Sequence, residues 1–156
     1  MHLCEQKKTF DPSVTTVMTS RLLWSVDDSN GDLARTLALN NNRKFDVIIA
    51  SDCLFFKDFH SELISTLRSA INGPSSPIYL LQPRRAGTMQ LFVDRASAYF
   101  DINLYEDYIP EITEMRHRFR SEAKYKDSYD DDTHYSVLIV MFLKTNLNKV
   151  ELINEG

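Results

Sequence analysis

Short apolar runs rich in β-branched residues recur along this chain, and the stretches between them place their apolar residues at helical spacing. Four runs read as strands: residues 45–51, 77–82, 101–106 and 135–143, the last being the strongest. Leu63, Ile64, Leu67 and Ile71 mark a helix that begins near Phe59 and that Asn72-Gly73-Pro74 stops. Leu91, Phe92, Val93, Ala96 and Phe100 mark a second helix, with Thr88 as its N-cap. Ile112, Met115 and Phe119 mark a third, whose first turn suits Pro110. Residues 14–24 have the composition of a further strand, residues 32–42 fit a short helix or a loop, and residues 125–133 read as an acidic loop. The resulting order, β, β, α, β, α, β, α, β, predicts a mostly parallel α/β sheet. It predicts one domain over residues 14–145, with flexible termini at 1–13 and 146–156.

Composition narrows the choice. A chain of 156 residues can bury a real core, and 43% hydrophobic with 26% charged residues is the balance of a globular protein. The net charge of −4 gives no support to general nucleic-acid affinity. No apolar run approaches the ~20 residues that span a bilayer, and the polar start Met1-His2-Leu3-Cys4 lacks the apolar core of a signal peptide. The expected location is the cytoplasm, with the nucleus also open. Cys4 and Cys53 are too few for a disulfide framework. Gly31, Gly73, Gly87 and Gly156 are dispersed, so the chain has no glycine-rich phosphate loop. His60, His117 and His134 lack zinc-site spacing, and Asp130-Asp131-Asp132 lacks the glycine and distal glutamate of a calcium loop, so no metal is expected.

The candidate chemistry gathers at strand ends. Residues 45–51 read as a strand buried on both faces that runs into Asp52, with Phe55 and Phe56 just behind. In open α/β sheets ligands bind beyond the carboxyl ends of the strands. Asp52 is therefore a candidate site residue, and equally a candidate N-cap of the helix that follows. Arg84 and Arg85 follow the 77–82 strand on the same sheet edge as Asp52 and Trp24. They suit contact with an acidic protein substrate or an ion pair shaping its mouth, and they equally suit a solvated loop. Arg116-His117-Arg118-Phe119-Arg120, with Lys124 and Lys126, is a basic strip in an acidic chain. It reads either as a solvated helix face or as a dock for an acidic partner. Cys53 reads as a small buried residue.

Leu22-Leu23-Trp24, the Phe45-Asp46-Val47-Ile48 strand with Asp52-Cys53-Leu54-Phe55, Pro83-Arg84-Arg85, and His134-Tyr135 before an apolar last strand form a set in a recognisable order. Over residues 14–145 the chain resembles the C-terminal part of the class I, seven-β-strand S-adenosylmethionine-dependent methyltransferases. Among them it is most similar to the protein-lysine enzymes of the calmodulin-lysine N-methyltransferase family. The resemblance implies a Rossmann-like sheet, S-adenosylmethionine as cofactor, and calmodulin or another acidic protein as partner. It implies that Asp52 orients and helps deprotonate the substrate ammonium while Phe55 walls the transfer channel. By the same resemblance Trp24 lies near the cofactor adenine (or is simply a core tryptophan), Ser51 offers backbone groups near the cofactor, and Arg84, Arg85 and Tyr135 face the substrate.

The departure from that family is the missing glycine-rich βα unit, so the sheet is expected to be truncated and full activity of the chain alone is in question. Such a chain would also expose a normally internal strand as an edge, which predicts marginal stability. A module that binds an acidic protein without methylating it is the alternative reading.

Overall fold

The computed structural model describes residues 16–29 and 31–145. The proposed flexible termini, Cys4 and the first two residues of the 14–24 run lie outside the described residues. The elements follow in the order α1 (Asp32–Leu39), β1 (Ile48–Ser51), α2 (His60–Ala70), β2 (Ile78–Pro83), α3 (Thr88–Ala96), β3 (Phe100–Tyr105), α4 (Pro110–Ser121), α5 (Asp131–His134) and β4 (Ser136–Leu143). Short 3-10 turns precede α2 at Lys57–Phe59 and follow α4 at Ala123–Tyr125.

The four strands form one mixed sheet in the order β1-β2-β4-β3. β1 and β2 run parallel, with Ile48 beside Ile78 and Ser51 beside Leu81. β4 runs antiparallel to both its neighbours, with Ile139 between Leu80 and Leu104. Three strands therefore point one way and β4 runs against them, which refines the expectation of a mostly parallel sheet. The arrangement is α/β and compatible with a Rossmann-like fold.

One face of the sheet carries the core. Ile78, Leu80, Val137, Ile139 and Met141 are fully buried there against Leu63, Ile64 and Leu67 of α2 and Met89, Phe92 and Ala96 of α3. Each of these large side chains contributes about 1.5–3 kcal/mol by leaving water. The opposite face is different. Tyr79, Leu81, Leu138, Val140 and Phe142, which the register places together with Ile49, are only half-buried. Ile49 itself is 72% exposed.

Two expectations are corrected here. The 45–51 run is not a strand buried on both faces: β1 lies at the sheet edge, and its residues alternate between half-buried and exposed. Buried and edge strands have the same apolar composition, so periodicity alone does not separate them. Residues 16–24 form no strand either. Their backbone is held by side chains instead, with Leu23 N–H donating to Asp32 and Ser25 N–H donating to Thr66 of α2. β-propensity needs a partner strand to be realised. One cap also differs in detail. Gly87, with φ +87°, precedes α3 in place of Thr88, whose buried hydroxyl has no partner. Pro110 does open α4. The expected acidic loop contains α5, capped by Asp130, whose carboxylate accepts from the Asp132 N–H.

Candidate functional site

The carboxyl ends of β1 and β2 concentrate strained backbone. Asp52 has φ +48°, Arg85 φ +45° and Ala86 φ +51°. Such left-handed conformations in residues with a Cβ cost of order 1–3 kcal/mol each and gather at functional sites. The strain sets two side chains face to face. Arg85 donates from Nε to Asp52 Oδ1 at 3.0 Å and from Nη2 to Oδ2 at 2.7 Å, a bidentate pair. Its guanidinium lies 5.6 Å from the centroid of the exposed Phe55 ring. Asp52 caps no helix: the turn at Lys57–Phe59 and α2 begin without any side-chain cap. Its carboxylate is 54% exposed and the Arg85 side chain 30%, so the pair is open to an arriving group.

Buried polar groups hold this arrangement from below. The Gln82 side chain, at the end of β2, accepts at Oε1 from the N–H groups of Cys53 (3.1 Å) and Leu54 (3.3 Å). Its Nε2 lies 3.4 Å from Cys53 Sγ. His60 Nε2 lies 2.9 Å from the Leu54 carbonyl, which makes Nε2 the donor, and the ring stacks edge-on to Phe92. The loop from Asp52 to Phe55 is thus pinned at Cys53 and Leu54 while its ends stay in solvent. Burial pushes the Cys53 thiol up, away from the thiolate a nucleophile requires. From the far side, the Asp132 carbonyl accepts from the Arg85 N–H at 2.9 Å and its carboxylate from the Ala86 N–H at 2.6 Å.

A second ionic network adjoins the first. Arg84 turns away from Asp52 and pairs with Glu106 at 2.5 Å. Arg116 bridges Glu106 (3.1 Å) and Asp131 (2.7 Å), and Arg120 reaches the same Asp131 oxygen at 2.8 Å. Burial works against the charge on Asp131, yet hydrogen bonds from Arg116 and Tyr129 keep its carboxyl below the usual range. The Asp131 bond raises the Arg116 guanidinium further still. That guanidinium lies 3.9 Å over the Tyr135 ring. Tyr135 is buried, and its hydroxyl donates to the Glu106 carbonyl.

The structure therefore brings Asp52, Phe55 and Arg85 together at one edge, with the exposed Ser51 beside them in β1. Arg84 and Tyr135 belong to the neighbouring network. Trp24 packs partly buried against the core, with no hydrogen bond or ring contact to the Asp52 group among the described residues. Gln82, His60, Glu106 and Asp131 were not legible in advance as site residues. Among the described residues no group of His, Cys, Asp and Glu is arranged to hold a metal ion, and no helix is long and apolar enough to cross a membrane.

The mixed α/β sheet is compatible with a Rossmann-like fold, and comparison with known proteins gives a distant likeness to a methyltransferase. Over 100 residues the chain is 28% identical to calmodulin-lysine N-methyltransferase of Arabidopsis thaliana. The match covers 61% of the chain and 32% of that protein, so the chain spans about a third of the relative's length. No protein-family model matches the chain.

Proposed function

We propose that this chain forms the lysine-facing side of an S-adenosylmethionine-dependent protein-lysine methyltransferase site, with calmodulin or a similarly acidic protein as substrate. The likeness to a calmodulin-lysine methyltransferase supports the reaction class. The observation that carries the reading is the strained, open Asp52–Arg85 pair beside the exposed Phe55 ring.

The cofactor the reading implies supplies the methyl group, and this chain's residues do not make its full cradle. Its glycines are dispersed. Gly31 and Gly87 are spent on left-handed starts to α1 and α3. Asp32, the buried acid nearest Trp24 in sequence, is committed to Arg21, Arg35 and the Leu23 N–H. These residues contain no glycine-rich cradle.

The chain's own groups act on the lysine. An ammonium arriving at the sheet edge meets a carboxylate whose partner, Arg85, can be displaced toward solvent. Asp52 then accepts hydrogen bonds from the ammonium and fixes its direction. It also offers a place for the proton that must leave before the nitrogen lone pair is free. Phe55 presents an aromatic face that attracts the cation and keeps water from one side. Gln82 and His60 hold the loop, so that the entropy of orienting the amine is paid before it arrives.

The test is calorimetric titration of the purified chain with S-adenosylmethionine, with and without calmodulin, followed by a methyl-transfer assay. Transfer that Asp52→Asn reduces while the fold persists supports the reading. A folded chain that binds calmodulin but neither binds cofactor nor transfers methyl supports the second reading, a non-catalytic module, which the dispersed glycines favour. Binding of neither removes both.

A further inference from the structure

A cleft of about 440 Å³ lies beside the Asp52 edge, between α4 and the segment that leads into β4. It is lined by Tyr108, Met115, Phe119, Tyr125, Tyr129 and Tyr135, among others. Its floor is a continuous aromatic stack. Phe119 meets Tyr125 edge-on at 4.6 Å and Tyr129 at 5.3 Å, and Tyr129 in turn meets His134 at 5.7 Å. Burial, with the hydrogen bond to Asp131, pushes the Tyr129 hydroxyl up to about 12, so that ring stays neutral. Met115 is 51% exposed at the mouth.

The rim is basic. Between 116 and 126 the chain carries five basic residues and one acid. Arg116 is only 12% exposed and is consumed inside the ionic network. Arg118, Arg120, Lys124 and Lys126 are exposed and flank the lining residues Phe119 and Tyr125 in sequence; Arg118 and Lys124 share Glu122 at 3.1 and 3.0 Å, and Arg120 shares Asp131 with Arg116. The basic strip thus separates into one largely buried arginine and an exposed set of cations beside the aromatic floor, in which Glu122 and Asp131 are each shared between two cations. Clefts of this kind seat the large apolar anchor of a partner, while the rim charges set encounter and register. α5 ties the cleft to the proposed site: His134 lines the cleft while Asp132 clasps the Arg85-Ala86 backbone.

We propose that this cleft docks an acidic segment of a protein partner by inserting one apolar side chain, such as Phe, Leu or Met, over the Phe119–Tyr129 floor. Acidic neighbours of that side chain engage Arg118, Arg120, Lys124 and Lys126. The proposal names the recognition surface for the acidic substrate suggested above and rests on that reading for the role of the partner. Docking itself requires neither cofactor nor lysine.

The probe is a fluorescently labelled, lysine-free synthetic peptide, acidic, with Leu and Phe one helical turn apart, followed by fluorescence anisotropy with the intact chain. Saturable binding that weakens with salt is expected, together with a loss of roughly tenfold or more when both anchors are replaced by Ala. Met115→Glu, at the mouth, and the double variant Arg118→Glu, Lys126→Glu, on the rim, are each expected to weaken it similarly. Both change exposed positions, and melting curves matching the parent confirm their folds. Equal binding of the anchor-free peptide, tighter binding of a basic peptide of the same pattern, or indifference to Met115→Glu would each overturn the proposal. Because the peptide has no lysine, its binding reads this inference alone; methyl transfer to calmodulin is assayed separately, so absence of transfer there with docking here sinks the methyltransferase reading and leaves this inference standing.

Discussion

At the scale of single residues, the Asp52 edge separates buried groups that hold the loop from exposed groups to which the proposed reaction assigns a role. Gln82 is buried and accepts from two backbone N–H groups that have no other route to a partner. Gln82→Leu keeps the volume and orphans both, so a loss of about 1–3 kcal/mol is expected in urea unfolding. Arg85 is the opposite case. Its pair with Asp52 is half open to solvent, and such pairs contribute only about 0.2–1 kcal/mol. Arg85→Ala should therefore unfold within about 1 kcal/mol of the parent while changing calmodulin binding or methyl transfer. A large stability loss would make the pair structural and weaken its functional reading. The sequence marked Asp52 and Arg85 because strand ends and adjacent turn residues are local signals, and Phe55 through the family resemblance. It could not mark Gln82 or His60. Gln82 reads as any polar strand terminator, and its bonds cross 28 and 29 positions. His60 gains its meaning only from a carbonyl six residues back and a ring on another helix.

At the scale of elements, two ionic clusters fasten segments that lack a large apolar face. α4 has no fully buried residue, so Arg116 and its bonds to Glu106 and Asp131 are its main anchor. Arg116→Ala removes the bridge between Glu106 and Asp131 and leaves each acid only its other arginine, Arg84 or Arg120. A loss of about 1–3 kcal/mol is expected, with faster amide exchange confined to residues 106–134 and the β1–β2 pair unaffected. Uniform acceleration across the sheet would contradict a local role.

Asp32 fastens α1 to the extended segment before it. Its carboxyl is held at about 2, below the ordinary 3.8, first by the Arg21 hydrogen bond and then by the Leu23 N–H. A depressed folded value stabilises the protein above the unfolded value and loses that contribution as pH falls. The parent should therefore lose stability between pH about 4 and about 2, and Asp32→Asn should flatten that part of the denaturation profile. α2, α3, α4 and β2, β3 and β4 were readable because their periods, glycines and prolines are local, whereas α5 read as an acidic loop. The failure of residues 16–24 to become a strand was not, because a strand requires a neighbour that composition does not reveal.

At the scale of the whole molecule, the sheet has helices α2 and α3 on one face and a half-buried apolar layer on the other. Sheets with parallel pairs are normally covered on both faces. β1 adds an open edge, since among the described residues its only partner strand is β2. Ile49 stands at the meeting point of that edge and that face. Unpaired N–H and C=O groups next to exposed apolar side chains form a template for association. The purified chain should accordingly show concentration-dependent self-association in sedimentation velocity and bind a hydrophobic dye while its far-ultraviolet spectrum stays native-like. Ile49→Lys places a charge on the edge without touching the helix-covered core. It should shift the distribution toward monomer and lower dye binding, leaving the unfolding midpoint of the monomer nearly unchanged. Val140 provides the control, because β4 lies inside the sheet. If the face rather than the edge drives association, Val140→Lys suppresses it and Ile49→Lys does not. If both variants and the parent stay monomeric at high concentration without binding dye, the exposed layer is already satisfied, and the expectation of a marginal, association-prone chain fails.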